Sequence, residues 1–361
     1  MARAYDRVLI LEDGKRYQGY GFGSKDTRVF ELVFNTTMSG YQELVSDPGY
    51  LDQAVVMTYP LIGNYGITDE DYETRFPTIS GLVVSEYNDL PSNFRCTKTL
   101  SEIMDDYNIP GIEGLDTREL TRHIRDNGTM RAVIADVCVT TEEGLELIKS
   151  TPIPHDSVSR VSCRKKWYSR TPNHKYNVVA VDLGIKQNVI RCLNALGCNI
   201  TVVPYNTTAQ EIMAMKPSGV VISDGPGDPQ DIPCVIELIK ELKGKTPVLA
   251  IGMGLQLVGL AYGGAVNKLK SGHRGVNYPV KNLLNGKVLI TSQDHGYAVD
   301  ADSIANSGLE VTHLNILDKT VEGVADTANK LMAVQYRPEG APGPQDDALL
   351  AQFVKMMGED K

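Results

Sequence analysis

The stretch "TPVLAIGMGLQLVGLAYGG", residues Thr246–Gly264, contains an apolar strand pattern, a tight Gly-X-Gly turn and a helical pattern. Two mechanisms use this layout. A dinucleotide fingerprint needs a third glycine, but Leu257 stands at that position. A nucleophile elbow needs a serine or cysteine in the turn, but Gly252 stands there. The third interpretation is an ordinary βα turn whose glycines allow close packing.

The segments around this stretch alternate between apolar strands and amphipathic helices. The strand patterns are "YNVVAVD", "NITVVPY", "GVVISD" and "PVLAIG", and the helical ones are "IKQNVIRCLNALG", "AQEIMAM" and "PCVIELIKELKG". Short apolar strands that alternate with helices pair in parallel, with helices on both faces of the sheet. Because ligands of such sheets lie beyond the carboxyl ends of the strands, the pattern singles out the loops Ser223–Pro229 and Gly252–Gln256.

The first half of the chain has a different pattern. Segments such as "RVFELVFNTT" and "ISGLVVSEY" are typical of strands, whereas "LSEIMDDY" and "TRELTRHIRDNG" have helical spacing. Residues 154–174 are polar, with a basic middle, and predict a linker. We therefore expect a mixed α/β domain over residues 1–153, this linker, and an α/β domain with a mostly parallel, doubly wound sheet over residues 175–361.

Composition excludes several classes of function. The 361 residues are 42% hydrophobic and 22% charged, with a formal net charge of −9, which argues against nucleic acid or an anionic membrane as the main partner. No stretch approaches the roughly 18 apolar residues of a membrane span, and we expect a cytoplasmic protein. The six cysteines and six histidines form no metal-binding motif, so no metal site is expected.

Motifs in both halves resemble one family closely. The first half contains "FNTTMSGYQELVSDPGYLDQAVVMTYPLIGNYGI" and "NIPGIEGLDTRELTRHIRDNGTMRAVI", and the second contains "ISDGPGDPQ", "SGHRGVNYPV", "ITSQDHGYAVD" and "AVQYRPEGAPGP". These stretches resemble the small, glutaminase subunit of carbamoyl-phosphate synthetase. The resemblance implies that family's own N-terminal domain followed by a class I glutamine amidotransferase domain.

The resemblance also implies a reaction and a partner. In the family, an elbow cysteine attacks the side-chain amide of glutamine, a histidine moves the protons, and a glutamate orients the histidine. The ammonia passes to a large, ATP-dependent subunit, so ATP and Mg²⁺ are expected on that partner and no cofactor is expected in this chain. The product, carbamoyl phosphate, serves arginine and pyrimidine biosynthesis.

Two of the three catalytic positions differ from the family pattern. The nucleophile position is Gly252, and the base position in "YRPE" is Arg337, whose guanidinium stays protonated at any working pH. Glu339 remains at the position of the orienting carboxylate, where an ion pair with Arg337 is the simpler interpretation. Glutamine hydrolysis by the family mechanism is therefore predicted to be lost.

The positions that match glutamine-contacting residues are altered less. Backbone N–H groups of Gly227 and Met253 match the oxyanion hole. Asp294 stands where the family has asparagine, and its negative charge is expected to weaken glutamine affinity. His295 is interpreted as a structural histidine rather than a substitute base, and Cys234 as a poor substitute nucleophile. The complete set of predicted glutamine-binding residues is Thr37, Gly225, Gly227, Met253, Gln256, Asp294, Gly296 and Tyr297.

Three functional hypotheses follow from these residues. The first is a small subunit without glutaminase activity that still pairs with a large subunit and supports synthesis from free ammonia. The second is a non-catalytic regulatory protein that binds glutamine or another carboxylate, with Arg337 as a possible partner of the ligand. The third is an active glutaminase that uses an unrecognised nucleophile.

Overall fold

The computed structural model describes residues 3–358. The chain divides into two compact units, Met1–Pro154 and His155–Lys361. Within the described residues, no helix combines the length and apolar character needed to cross a membrane.

Seven strands of the first unit form a closed barrel in the order β1-β2-β8-β6-β4-β3-β9. The pairing of β9 with β1 completes the ring. The strands of this unit are β1 (Arg7–Leu11), β2 (Arg16–Gly23), β3 (Arg28–Asn35), β4 (Gln53–Met57), β5 (Leu61–Ile62), β6 (Gly81–Val83), β7 (Glu86–Tyr87), β8 (Pro110–Glu113) and β9 (Met130–Asp136). Its helices are α1 (Tyr41–Val45), α2 (Leu100–Asp106), α3 (Thr117–Asn127) and α4 (Thr141–Ser150).

Both faces of the barrel strand β3 contribute to apolar clusters. In β3, Val33 belongs to an apolar cluster with residues of α1 and α2, whereas Leu32 and Phe34 belong to a second cluster with residues of α3. This division follows the two-residue period of a strand, which sends neighbouring side chains to opposite faces. The continuous apolar run that the sequence shows in this strand is explained by burial on both sides.

The second unit contains a ten-stranded sheet in the order β10-β12-β11-β13-β14-β19-β18-β17-β15-β16. Its strands are β10 (Trp167–Ser169), β11 (Tyr176–Asp182), β12 (Cys198–Pro204), β13 (Gly219–Ile222), β14 (Val248–Ile251), β15 (Val266–Asn282), β16 (Val288–Val299), β17 (Glu310–Asn315), β18 (Val321–Asp326) and β19 (Leu331–Val334). Its helices are α5 (Ser157–Val161), α6 (Gln187–Ala195), α7 (Ala209–Ala214), α8 (Pro233–Leu242), α9 (Met253–Ala261) and α10 (Asp347–Gly358).

The alternation of strands and helices produces the parallel part of this sheet. Strands β12, β11, β13, β14 and β19 pair in parallel. Apolar clusters on the two faces contain residues of α7, α8 and α9 on one side and of α6 and α10 on the other. The predicted α/β class with helices on both faces is confirmed. Strands β18, β17, β15 and β16 extend the sheet with antiparallel pairs.

The segment over residues 154–174, for which the sequence predicts a linker, carries regular structure at its two ends. Ser157–Val161 form α5, and Trp167–Ser169 form β10, which pairs antiparallel with β12. Trp167 packs against the apolar cluster on that side of the sheet. This short edge strand lies in a polar segment, where pattern analysis over a longer window does not detect it.

Candidate functional site

A sharp turn joins β14 to α9, and Gly252 occupies it. Its backbone angles are φ 58° and ψ −116°, a combination that residues with a Cβ rarely adopt. The Gly252 N–H donates to the carbonyl of Val334 on the neighbouring strand β19, at 2.8 Å. The turn therefore has the strained geometry of an elbow between a strand and a helix, and it is fixed to the sheet.

The side chain of Asp224 fills the space in front of this turn. A Cβ built on Gly252 would overlap the Asp224 carboxylate, whose Oδ2 atom would lie only 2.8 Å away. Asp224 Oδ1 accepts hydrogen bonds from the N–H groups of Gly225 and Met253, each at 2.9 Å. A carboxylate at the N-terminus of α9 is favoured by the N–H groups and dipole of that helix. Asp224 thus fills the space in front of Gly252 and engages the Met253 N–H.

The guanidinium of Arg337 lies among acidic side chains. Arg337 Nη2 donates to Asp294 Oδ2 at 2.7 Å, and Arg337 Nε lies 3.8 Å from Asp224 Oδ2. The other carboxylate oxygen of Asp294 lies 3.2 Å from Nε of Arg274. Two carboxylates and two guanidinium groups thus form a mostly buried network, which we call the ion network. Its members are Asp224, Asp294, Arg274 and Arg337. Its charges compensate one another.

Glu339 pairs with a different cation from the one the sequence suggests. Its Oε1 lies 2.5 Å from Nζ of Lys186, and both side chains are at most 2% exposed. Arg337 is directed toward Asp224 and Asp294 instead, so the expected Arg337–Glu339 ion pair is wrong. The physical reason is that the carboxylates of Asp224 and Asp294 face Arg337 from other segments of the chain. Lys186, the residue that precedes α6, supplies the cation that pairs with Glu339.

Several of the predicted glutamine-binding residues lie together around the ion network. Met253 contacts Asp224, which directly precedes Gly225. Gln256 is buried, and its Nε2 donates to the carbonyl of Tyr297 at 3.2 Å and to Gln335 Oε1 at 3.3 Å. The amide of Gln256 therefore has protein partners. The charge of Asp294, which is expected from the sequence to weaken glutamine affinity, is paired with two arginines.

Gly227 and Thr37 are two further candidate residues. Gly227, with φ 89°, borders a cavity of about 240 Å³ whose lining also includes His155, Ser157 and Cys234. Thr37 belongs to the first unit, where its buried side chain donates to the Ser39 carbonyl at 2.9 Å.

His295 has two polar neighbours within the second unit. Its Nδ1 lies 2.8 Å from the carbonyl of Tyr297, and its Nε2 lies 3.3 Å from Gln293 Oε1. Since a carbonyl oxygen only accepts hydrogen bonds, Nδ1 carries a proton and donates it.

Each of the two units matches a known protein family. Residues 9–134 match the model of the carbamoyl-phosphate synthase small chain, CPSase domain, and residues 179–357 match that of class-I glutamine amidotransferases. Relatives named carbamoyl phosphate synthase small chain are 50% identical in Staphylococcus haemolyticus and 48% identical in Oceanobacillus iheyensis, each over 98% of this chain and 97% of the relative. The chain belongs to the carbamoyl phosphate synthase small chain family.

A solved structure described as a putative GMP synthase protein from Thermoplasma acidophilum was also matched. It is 18% identical, with a TM-score of 0.44, and the match covers 52% of this chain and 97% of that one.

Within this carbamoyl phosphate synthase small chain fold, sequence reasoning identified Gly252 and Arg337 but missed three side chains. These are Asp224, Arg274 and Lys186, each of which pairs with or fills the space of a predicted site residue. A signal for Asp224 was available, because it directly precedes Gly225 in a loop at the carboxyl end of β13. Because β13 pairs in parallel with β14, this loop lies beside the N-terminus of α9, the helix that follows β14.

Proposed function

We propose that this chain is a carbamoyl phosphate synthase small subunit that pairs with an ATP-dependent large subunit and does not hydrolyse glutamine. One observation carries the proposal: the carboxylate of Asp224 fills the space in front of Gly252 and accepts from the Met253 N–H. The glutaminase centre is therefore not merely short of a nucleophile, because a charged side chain of the same chain occupies it.

The nucleophile, the base and one of the two oxyanion donors are unavailable at this turn. Hydrolysis needs a thiolate, a base with a pKa near 7 and free oxyanion donors. Gly252 supplies no thiol, Arg337 stays protonated and is paired with Asp294, and the Met253 N–H already has a carboxylate acceptor. Loss of one triad member that acts as part of a unit lowers turnover by about 10⁶-fold, so further losses add little.

Four of the six cysteines have a raised thiol pKa. Burial raises the pKa of Cys163 to about 12 and that of Cys198 to about 11, and it also raises the pKa of Cys234. The pKa of Cys138 is raised by its hydrogen bond to Asp136. Because the thiolate is the reactive form, these shifts oppose nucleophilic catalysis at pH 7. They support loss of glutaminase activity over a substitute nucleophile.

The large subunit would carry the ATP chemistry of this reaction. In the proposed complex it forms carbamoyl phosphate from bicarbonate, free ammonia and two ATP, and the small subunit contributes its docking surface and no nitrogen. Arginine and pyrimidine biosynthesis in the cytoplasm are the corresponding pathways.

The decisive experiment compares nitrogen donors in the assembled complex. The chain is co-purified with a large subunit from the same cell, and carbamoyl phosphate synthesis is measured with glutamine and with ammonium chloride. We expect synthesis with ammonia only. Glutamine-dependent synthesis at a comparable rate would overturn the proposal, and failure to co-purify would overturn the pairing alone.

The alternative, a non-catalytic protein that binds glutamine or another carboxylate, meets an obstacle in the ion network. A ligand carboxylate would have to displace Asp294 or Asp224 from Arg337 before it could pair with that residue. Calorimetric titration with glutamine, glutamate and aspartate in the absence of a partner tests this alternative. We expect no heat of binding with any of the three.

A further inference from the structure

Two histidines and a glutamate converge in the antiparallel part of the second unit. His273 on β15 and His295 on β16 are opposite each other in the strand ladder, and their ring centroids lie 4.9 Å apart. Glu322 projects toward them from β18, and one ligand atom from each of the three side chains lies within 4.8 Å of the others. His295 and Glu322 are buried, and His273 is mostly buried. We call them the histidine–glutamate cluster.

The outward nitrogen of each histidine is already engaged. His295 Nδ1 donates to the carbonyl of Tyr297 at 2.8 Å, and His273 Nε2 lies 2.8 Å from Asp318 Oδ2, to which it donates. In a neutral imidazole, a proton on one nitrogen leaves a lone pair on the other. The inward atoms, His273 Nδ1 and His295 Nε2, lie 3.6 Å and 3.8 Å from Glu322 Oε1. Both lone pairs therefore face the carboxylate, and the same two atoms have one further polar neighbour each: His273 Nδ1 lies 3.4 Å from Asn315 Nδ2, and His295 Nε2 lies 3.3 Å from Gln293 Oε1.

Glu322 lacks the donors that a buried carboxylate needs. Among the described residues, its Oε2 has no hydrogen-bond partner, and its side chain is fully buried. Its Oε1 has only long contacts, 3.4 Å from Asn315 Nδ2 and 3.5 Å from Thr320 Oγ1. A carboxylate and two imidazole lone pairs that face one another repel, so a cation or a proton between them stabilises the arrangement.

We propose that His273, His295 and Glu322 bind a divalent first-row transition metal, and zinc is the ion that this donor set fits best. Two imidazole nitrogens and a carboxylate are a common zinc set, with bond lengths of about 2.0–2.2 Å. At such lengths tetrahedral donors lie roughly 3.4 Å apart, close to the separations from Glu322 seen here. Magnesium and calcium prefer sites made of oxygen ligands alone.

The residues around the cluster have the arrangement of an outer ligand shell. A metal-bound histidine ordinarily donates its second N–H to a carboxylate or a backbone carbonyl. Asp318 provides the first kind of acceptor and the Tyr297 carbonyl the second. The side chain of His273 is 12% exposed, which gives an ion a route to the cluster.

The bound ion would connect three strands that are distant in sequence. It would hold β15, β16 and β18 together beside Arg274 and Asp294, which follow His273 and precede His295 in the chain. The metal site does not depend on the proposed loss of glutaminase activity. The sequence does not predict it, because the three ligands belong to separate strands and form no motif.

A proton is the competing occupant of the cluster. Burial lowers the pKa of His273, but hydrogen bonding to Glu322 and the charge of Asp318 raise it overall. An imidazolium at His273 would supply the missing positive charge without a metal. Metal binding and protonation are distinguishable, because only the first requires an added ion.

Zinc titration of the full-length protein, stripped of metals with a chelator, tests the proposal. We expect one equivalent of zinc by calorimetry and by elemental analysis, and the visible absorption of tetrahedral cobalt when cobalt(II) replaces zinc. Glu322→Gln keeps the size of the side chain but removes its charge, and we expect it to weaken zinc binding at least tenfold. His313→Gln alters another buried histidine, on β17 and outside the cluster, and should bind zinc like the unaltered chain.

Two further measurements keep the test decisive. If Glu322→Gln does not fold, Asp318→Asn replaces it, since loss of an outer-shell partner typically weakens metal binding about 10–100-fold. Zinc should also raise the melting temperature of the unaltered chain, because it binds the folded state. Absence of zinc binding to the unaltered chain would overturn the metal site and leave the proton as the occupant. Zinc affinities of Glu322→Gln and Asp318→Asn equal to that of the unaltered chain would overturn it as well.

Discussion

The carboxylate of Asp224 lies where a side chain on Gly252 would begin. The glycine and the aspartate are therefore mutually dependent. Gly252 leaves the space that the carboxylate needs, and Asp224 uses the Met253 N–H that this turn exposes. Changes that aim to restore chemistry at the turn must take both residues into account.

Restoration of glutaminase activity should require three substitutions. Gly252→Cys alone lacks a base, and Gly252→Cys with Arg337→His still places the thiol against Asp224. We expect ammonia release from glutamine only when Asp224→Ala is added, because that change removes both the overlap and the competing acceptor. The measurement is glutamate and ammonia production by the single, double and triple variants. Turnover in Gly252→Cys alone would contradict this account, and Cys234→Ala in the triple variant should leave turnover unchanged.

The free energy of unfolding should also depend on the overlap between a side chain at position 252 and the Asp224 carboxylate. Gly252→Ala introduces a Cβ at φ 58°, for which backbone strain costs about 1–3 kcal/mol, and it also collides with Asp224. In the Asp224→Ala background we expect a smaller loss of the free energy of unfolding, measured by urea denaturation. Gly263→Ala is the matched control, since Gly263 has φ 83° but nothing within 4 Å of the added atom. Strictly additive effects of the two substitutions would argue against the overlap.

Arg337 should matter for stability more than a surface cation does. Arg337→Met leaves Asp294 and Asp224 without one of their cations, and removal of one partner from a buried pair typically costs about 3–5 kcal/mol. Lys240→Met, which disrupts the exposed pair with Glu237, should cost no more than about 1 kcal/mol. Urea midpoints of the two variants make the comparison. Equal midpoints would mean that the ion network contributes little.

Mild acid should destabilise the second unit partly through His313. Burial lowers the pKa of His313 from its ordinary value of 6.5, although the charge of Asp346 opposes the shift. The unfolded chain therefore binds the proton more readily, so the free energy of unfolding falls as the pH drops below about 6.5 toward the folded-state pKa. His313→Gln should reduce this slope between pH 7 and pH 5.

The control for this pH experiment is His174→Gln, which changes an exposed histidine. It reports the effect of losing an imidazole from the surface, and urea midpoints at several pH values are compared among the three proteins. If the free energy of unfolding of His313→Gln falls with pH as steeply as that of the unaltered chain, His313 is not a source of the pH dependence.

The alternation of apolar strands and helices allowed the parallel sheet and the Gly252 turn to be predicted from sequence. Both depend on local periodicity and on a glycine in a short turn. The antiparallel extension was not predicted, because β15 and β16 carry long polar stretches whose pairing is set by distant partners.

The contents of the site were only partly predictable for a related reason. Gly252 and Arg337 stand at positions that a family motif identifies. The contact of Asp224 with Met253 spans 29 positions, and that of Arg337 with Asp294 spans 43. Such contacts depend on tertiary packing and side-chain rotamers, on which a single sequence carries no direct information.

The pairing of β1 with β9, which closes the barrel of the first unit, has a practical consequence for N-terminally truncated variants. Strand β1 begins at Arg7 and is hydrogen-bonded on one side to β2 and on the other to β9. A truncation that removes residues 1–11 would therefore leave two strands with unpaired backbone groups along one edge each. Such edges associate with one another, so aggregation rather than simple loss of stability is the expected outcome.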